Sequence, residues 1–192
     1  MTIDPVILEA DLAAGRLSCP GCGGSLAAWG WARERTVRML DGVRALRPRR
    51  GKRRGCESTH VLLPAWSVPR RLDGAEVIGD ALLSSALGAG HRTIAAELGR
   101  PAGTVRGWLR AFRRRAGAIE LCARRWRREI DITLPPGRPS GSPLADAVDA
   151  LAVAARAIRA QLGMRASAWE LSVALTGGLL HGETRTDACP GF

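Results

Sequence analysis

The 192-residue chain has only 4% aromatic residues and no tyrosine, so its alanine, leucine and valine favour short packed helices over a thick sheet core. Its net charge of +11 comes from residues 1–134, which hold 24 lysines and arginines against 13 acids, whereas residues 135–192 hold 5 of each. Charge concentrated in this way predicts a surface that binds nucleic-acid phosphates rather than one that is merely solvated. The sequence has no long apolar segment and no basic leader, which excludes a membrane partner and predicts a cytoplasmic protein.

Residues 1–69 are predicted to form a small β domain that begins with a short helix, at residues 5–14. Glycine and proline turns then separate short runs of strand-forming residues. These runs lie at residues 26–31, 36–40, 43–46 and 61–63. Asp41-Gly42, between the second and third runs, is typical of a hairpin turn.

The cysteines of this block have the spacing of a metal site. Cys19 and Cys22 lie in the sequence CPGCGG, where a tight turn lets two thiolates reach one ion. An odd total of five cysteines in a reducing compartment favours metal binding over disulfides. Cys56 and His60 are the predicted partners, which gives one Zn2+ ion in a zinc ribbon with three cysteine ligands and one histidine ligand.

A second complete cysteine pair is missing, because position 53, where its other member would stand, is Arg53. Either His60 is the fourth ligand or the site has decayed. In the second case a vestigial ribbon without metal would depend on the apolar side chains of Trp29, Trp31 and Val61.

Residues 70–133 are predicted to be a helical DNA-binding domain, with a first helix at residues 75–87. Ala95, Gly99 and Val105 then occupy the small, turn and apolar positions of a helix-turn-helix at the spacing that this motif requires. The three helices would have a homeodomain-like arrangement. The alternative is a helical hairpin with no role in DNA binding.

The second helix of this motif, the recognition helix, is predicted to begin near Pro101 and to run to about residue 116. Arg106 and Arg110 lie one turn apart on one face, so they are the predicted base-reading residues, since arginine can bind the major-groove edge of guanine with two hydrogen bonds. Arg100 departs from the pattern, because the residue after the turn glycine is commonly apolar.

Other side chains are predicted at the DNA interface, most of them as phosphate contacts. In the helical domain they are Arg92, Thr104, Arg113 and Arg114. In the basic run at residues 47–54 they are Arg50, Lys52 and Arg53. This run is either a loop on DNA phosphates or a solvated β-turn.

The last part of the chain is predicted to be a linker and a helical pair. Residues 134–143 are rich in proline, glycine and serine and cannot continue a helix. Residues 144–192 are predicted to hold two helices, at 144–162 and 168–175, and a disordered tail after Gly182. These helices would pack on the preceding domain or form a homodimer. The predicted fold class is therefore mainly α, with a small N-terminal zinc-ribbon-like β domain.

The order of CPGCGG, WGWARER, the basic run, THVLLP and HRTIAAELGRPAGTVRGWLRAF resembles actinobacterial proteins with a zinc ribbon and a helix-turn-helix. Those proteins are similar to the N-terminal DNA-binding part of insertion-sequence transposases and tend to be encoded beside transposase or integrase genes. The resemblance covers residues 19–116, and it implies a second metal-binding cysteine pair, from which Arg53 departs.

The leading functional prediction is a sequence-specific binder of double-stranded DNA without catalytic activity. It would be a transcriptional regulator or the DNA-targeting partner of a separately encoded transposase. The alternative is a truncated or accessory transposase or recombinase subunit, and a sigma-factor-like promoter reader is a third reading. Transposase chemistry needs acids that converge on two metal ions, and the 76 residues after Ala116 offer no strand framework to hold them.

Overall fold

The computed structural model describes residues 5–137 and 139–176. These residues form seven helices and five short strands, so the predicted mainly α fold with a small N-terminal antiparallel β part is confirmed. In chain order the elements are α1 (Pro5–Ala13), β1 (Ala27–Trp31), β2 (Arg35–Arg38), β3 (Val43–Leu46), β4 (Arg49–Lys52), β5 (Thr59–Leu62), α2 (Ala75–Ala86), α3 (His91–Glu97), α4 (Ala102–Arg113), α5 (Ala116–Ile130), α6 (Pro143–Leu162) and α7 (Ala168–Leu175). None of the described helices is long and apolar enough to cross a membrane.

The strands form a three-stranded antiparallel sheet in the order β1-β4-β5 and a separate hairpin of β2 and β3. In the centre of the sheet Gly51 pairs with Ala28 on one side and His60 on the other. A Cβ atom at Gly51 would lie 3.4 Å from the Cβ of Leu26, an ordinary van der Waals distance, so this position faces the small core beneath the sheet. That core consists of Leu12, Cys19 and Leu26, with Leu8, Leu17 and Leu62 at its edge.

The prediction of a loop or β-turn at residues 47–54 is wrong for its middle part, which is strand β4. The residues RRGK have neither apolar alternation nor β-branched side chains, so no local signal marks them as a strand. Backbone pairing with β1 and β5 on both sides supplies the stabilisation that the side chains do not. The result is that Arg50 and Lys52 lie on a sheet rather than on a flexible loop.

Helices α2 to α7 share one apolar core. Helix α4 contributes one face to it, through Val105, Trp108, Leu109 and Phe112, all of which are fully or almost fully buried. Helix α6 lies along α5 and also contacts α2, and its alanines at the buried positions allow the close approach. The apolar face of α6 is therefore covered within the chain.

The predicted recognition helix corresponds to α4, and a further helix, α5, follows it. Helix α4 ends at Arg113 and α5 begins at Ala116, because Arg115 has a φ of −118° and a ψ of 4°, outside the helical region. The predicted end at about residue 116 is therefore within three residues of the observed end of α4, whereas α5 was not predicted as a separate helix. Helix α5 then turns back to cover α6 with the buried residues Ile119 and Ala123.

The predicted helices at the end of the chain are confirmed within the described residues, and both have ordinary capping residues. Ser142 caps α6, and Gly163 ends it with a φ of +61°. Ser167 and Glu170 form a reciprocal capping box at the start of α7. The predicted disordered tail lies outside the described residues.

A buried aspartate joins the strands to the helices. Asp73 is 2% exposed and accepts hydrogen bonds from Arg38 on β2, at 2.6 Å, and from Arg100 after α3, at 2.7 Å. Arg100 also donates to the backbone oxygen of Met39, at 3.4 Å. Its departure from the apolar pattern is thereby explained, since this arginine holds the β2–β3 hairpin against the turn between α3 and α4.

Candidate metal centre and nucleic-acid interface

Three cysteine thiols come together at the end of the three-stranded sheet. The Sγ atoms of Cys19, Cys22 and Cys56 all lie within 4.8 Å of one another, and each is a free thiol. Cys56 Sγ lies 3.8 Å from Cys19 Sγ and 3.5 Å from Cys22 Sγ. Tetrahedral zinc with Zn–S bonds of about 2.3 Å separates its sulfur ligands by about 3.8 Å. The three cysteines could therefore hold a metal ion.

His60, the fourth residue of the predicted site, meets this cluster on one side. It lies on β5, and its Nε2 is 3.3 Å from Cys19 Sγ. The compact group of ligand atoms consists of the three sulfurs alone, so His60 meets the cluster through Cys19 and would have to move towards Cys22 and Cys56 to become a fourth ligand.

Two tight turns present the thiols. In the first, the backbone N–H of Cys19 donates to Gly24 O and that of Gly23 donates to Cys19 O, each at 2.8 Å. Gly23 has a φ of +70°, which a side chain would oppose. In the second turn the N–H of Arg53 donates to Ser58 O at 2.9 Å. These backbone hydrogen bonds thus shape the two turns that carry the thiols.

The electrostatics of the two exposed thiols differ. Ser58, through its side chain and backbone, lowers the pKa of Cys56 to about 7, with the Cys22 thiol adding to the effect. The pKa of Cys22 is raised, because its Cys56 and Cys19 neighbours and desolvation outweigh the contacts with Gly24 and Arg53 that lower it. Cys56 is therefore the thiol that most readily becomes a thiolate, the form that binds metal. Sequence reasoning missed Ser58, which carries no metal-ligand pattern.

Arg53 lies against the first turn, in the place of a second-turn cysteine. A Cβ atom at Gly24 would lie 2.1 Å from Arg53 Nε, so the guanidinium occupies the space over that glycine. A positive charge there compensates part of the negative charge that three thiolates bring together. Arg53 is half-buried, and this contact covers part of its side chain.

The two basic residues of β4 are also partly engaged. Lys52 forms an ion pair with Glu57, at 2.5 Å, and its Nζ lies 4.6 Å from the ring centroid of Trp29. Arg50 is half-buried on the same strand and has no ion-pair partner in the part of the chain that the structure describes. Of this pair, Arg50 is therefore the one whose charge is uncompensated.

The second candidate site is the exposed face of α4. The turn before it contains Gly99, with a φ of +60°, and the buried Ala95 lies one turn earlier on α3. Arg106 and Arg110 lie opposite the buried face of α4, and both are exposed. Neither has an acidic partner among residues 5–137 and 139–176, and α4 itself contains no acidic residue. This face therefore carries unneutralised positive charge.

The other predicted contacts surround this face to different degrees. Arg92 on α3 and Arg114 after α4 are exposed, whereas Thr104 is half-buried. Arg113 is exposed but donates to Ser85 Oγ on α2, at 3.1 Å. The structure thus leaves Arg92, Arg106, Arg110 and Arg114 exposed on and after α3 and α4, and places the predicted residues of β4 in the separate sheet.

Two glycines leave the backbone of α4 bare beside these arginines. Cβ atoms at Gly103 and Gly107 would have nothing within 4 Å, so neither glycine is required by packing. Glycine inside a helix costs about 0.5–1 kcal/mol relative to alanine. We expect Gly107→Ala to raise the free energy of unfolding, measured by urea denaturation, by about that amount. Gly99→Ala is the control and should lower it, because of its positive φ.

No protein-family model, curated protein or solved structure matches this chain.

Proposed function

We propose that this protein is a sequence-specific binder of double-stranded DNA and that α3 and α4 are its helix-turn-helix. The observation that carries the proposal is the exposed face of α4, where Arg106 and Arg110 stand one turn apart without acidic partners. The like charges on this face repel one another in the free protein, whereas the phosphates and guanine edges of DNA attract them.

The shape of α4 supports insertion into the major groove. The groove is about 12 Å wide, enough for one helix. Gly103 and Gly107 give α4 a narrow outer surface, so its backbone can approach the base edges between the two arginines. The buried face, anchored by Trp108 and Phe112, prevents the helix from rotating when it binds. Arg106 and Arg110 would thus contact the base edges, and the flanking arginines would contact phosphates.

We also propose that the N-terminal strands are a zinc ribbon that binds one Zn2+ ion. The ligands are Cys19, Cys22, Cys56 and His60, and the sulfur spacing and the thiolate tendency of Cys56 support the assignment. Zinc would fix the end of the sheet next to β4, so that Arg50 can contact phosphate.

The proposed role is non-catalytic, either as a transcriptional regulator or as the DNA-targeting partner of a separately encoded transposase. A homodimer through the last two helices would have to use exposed positions such as Leu162, since the apolar face of α6 is covered by α5.

We expect Arg106→Ala to weaken binding of the preferred duplex by about 1–3 kcal/mol, roughly 5- to 150-fold, because a bidentate base contact is lost. The preferred duplex is first selected from a random pool, and affinity is then measured by fluorescence anisotropy at fixed salt. The variant should also relax the preference at one base position.

Arg156→Ala is the matched control, because Arg156 is exposed and lies on α6, outside the proposed helix-turn-helix. It should leave the affinity within twofold and the selected sequence unchanged. A pool from which no sequence is enriched, or an equal loss in both variants, would contradict sequence reading by α4.

A further inference from the structure

A groove separate from both candidate sites opens between α1, the β3–β4 connection and the segment after β5. Its volume is about 250 Å³. Two tryptophans, Trp31 and Trp66, lie in its wall, and Pro48 and Leu62 add to an apolar lining. Pockets for drug-sized molecules span about 300–1,000 Å³, so this groove suits a group of one or two rings.

Arginines surround the two tryptophans. The Arg49 guanidinium carbon lies 4.9 Å from the ring centroid of Trp31, and that of Arg44 lies 4.8 Å from that of Trp66. Arg47 is exposed in the lining between them. Guanidinium planes and indole rings are the two surfaces on which unpaired nucleobases stack.

The groove keeps a net positive charge after its one ion pair, between Glu9 and Arg49, is taken into account. Glu9 is the one acidic residue in the lining, and it is bound by Arg49 Nε at 2.8 Å. Arg47 in the lining, and Arg44, which is outside the lining but lies over the Trp66 ring, have no acidic partner in the described ranges 5–137 and 139–176. The occupant that complements this groove is therefore aromatic at one end and anionic at the other.

We propose that this groove binds an unpaired nucleobase of single-stranded DNA, with the base stacked on Trp31 and Trp66 and the adjoining phosphates held by Arg44 and Arg47. This activity goes beyond the proposed duplex reading and does not involve α4. It would let the protein hold a melted or frayed strand next to the duplex that α4 contacts.

The test is binding of a labelled oligothymidylate of about ten nucleotides to the full chain, followed by fluorescence anisotropy. Trp66→Ala should weaken this binding roughly 5- to 150-fold, the effect of losing one stacked base, whereas Trp66→Phe should retain most of it. Trp29→Ala is the control, because Trp29 is a tryptophan of β1 that does not line the groove and is about as exposed as Trp31, the other tryptophan of the wall.

A charge variant keeps the test valid if Trp66→Ala fails to fold. Arg47→Glu, at an exposed position, should weaken single-strand binding and lower its salt dependence, and Arg156→Glu should not. Arg106→Ala should leave single-strand binding unchanged, which separates this proposal from duplex reading. Equal losses in Trp29→Ala and Trp66→Ala, no effect of Arg47→Glu, or tighter binding of an oligouridylate of the same length would overturn it.

Discussion

Asp73→Asn should lower the free energy of unfolding by about 3 kcal/mol, because it leaves Arg38 and Arg100 without the charge of their buried partner. Asp73 is 2% exposed and binds Arg38 through one carboxylate oxygen and Arg100 through the other. Breaking a buried pair by removing one partner costs about 3–5 kcal/mol. We expect the lower end, since the Arg38 side chain is 40% exposed and stays partly hydrated.

Urea denaturation followed by circular dichroism measures this effect, with Asp41→Asn as the control. Asp41 is an exposed acid in the turn of the β2–β3 hairpin, so its neutralisation should change the free energy by less than about 0.5 kcal/mol. In an Asp73→Asn background, Arg100→Met should recover part of the loss, because it removes one of the stranded charges. A loss below about 1 kcal/mol for Asp73→Asn would mean that the two arginines are hydrated independently of the aspartate.

The same junction shows where the sequence was insufficient. Nothing in the run around Asp73 distinguishes an aspartate that joins two parts of the chain from one that caps the start of α2. Its partners lie 35 and 27 residues away, and pairing over such distances follows from the tertiary fold. Arg100 could be recognised as a departure from a pattern, but the reason for the departure needed Arg38 and Asp73 together.

Local signals were sufficient for the helices at the end of the chain. Their apolar pattern and Gly163 allowed the bounds of α6 and α7 to be predicted, and the caps at Ser142 and Ser167 agree with those bounds. Local signals were insufficient at strand β4, which depends on pairing with two neighbours, and they did not reveal α5 as a separate helix. Chain segments whose conformation is set by their neighbours are thus the ones that the sequence did not reveal.

For the candidate sites, spacing in the sequence located the three cysteines that the structure brings together. Helical periodicity likewise located the buried and exposed faces of α4, since residues three and four apart share one face. Spacing could not show that Arg53 lies over Gly24, because that contact depends on how the two turns meet. It also could not reveal the groove beside Trp66, whose walls come from four separate segments.

Removing the metal should unfold the N-terminal strands and leave the helices intact. The core beneath the three-stranded sheet has only three buried residues, Leu12, Cys19 and Leu26. So small a core rarely sustains a fold alone, and structural zinc supplies about 10–16 kcal/mol in zinc-finger peptides. Helices α2 to α7 have a larger core of their own, so they should persist when the metal is lost.

This difference is measurable because the two parts carry different reporters. Trp29 and Trp31 lie on β1, whereas Trp108 is buried in the helical core. Addition of a chelator should shift the indole NMR signals of the first two to unfolded positions and leave that of Trp108 in place. The helical circular dichroism should change little.

Single substitutions assign the ligands. Purified protein should contain one zinc per chain, and Cys19→Ser should contain none and show the same two shifted indole signals as the chelated protein. His60→Ala should bind zinc more weakly, because it removes a ligand, whereas His91→Ala on α3 should bind as the parent does. Metal-free protein with all indole signals at their folded positions would contradict the zinc ribbon. In that case the sheet and its two turns would be stable without a metal ion, with Arg53 packed against the first turn.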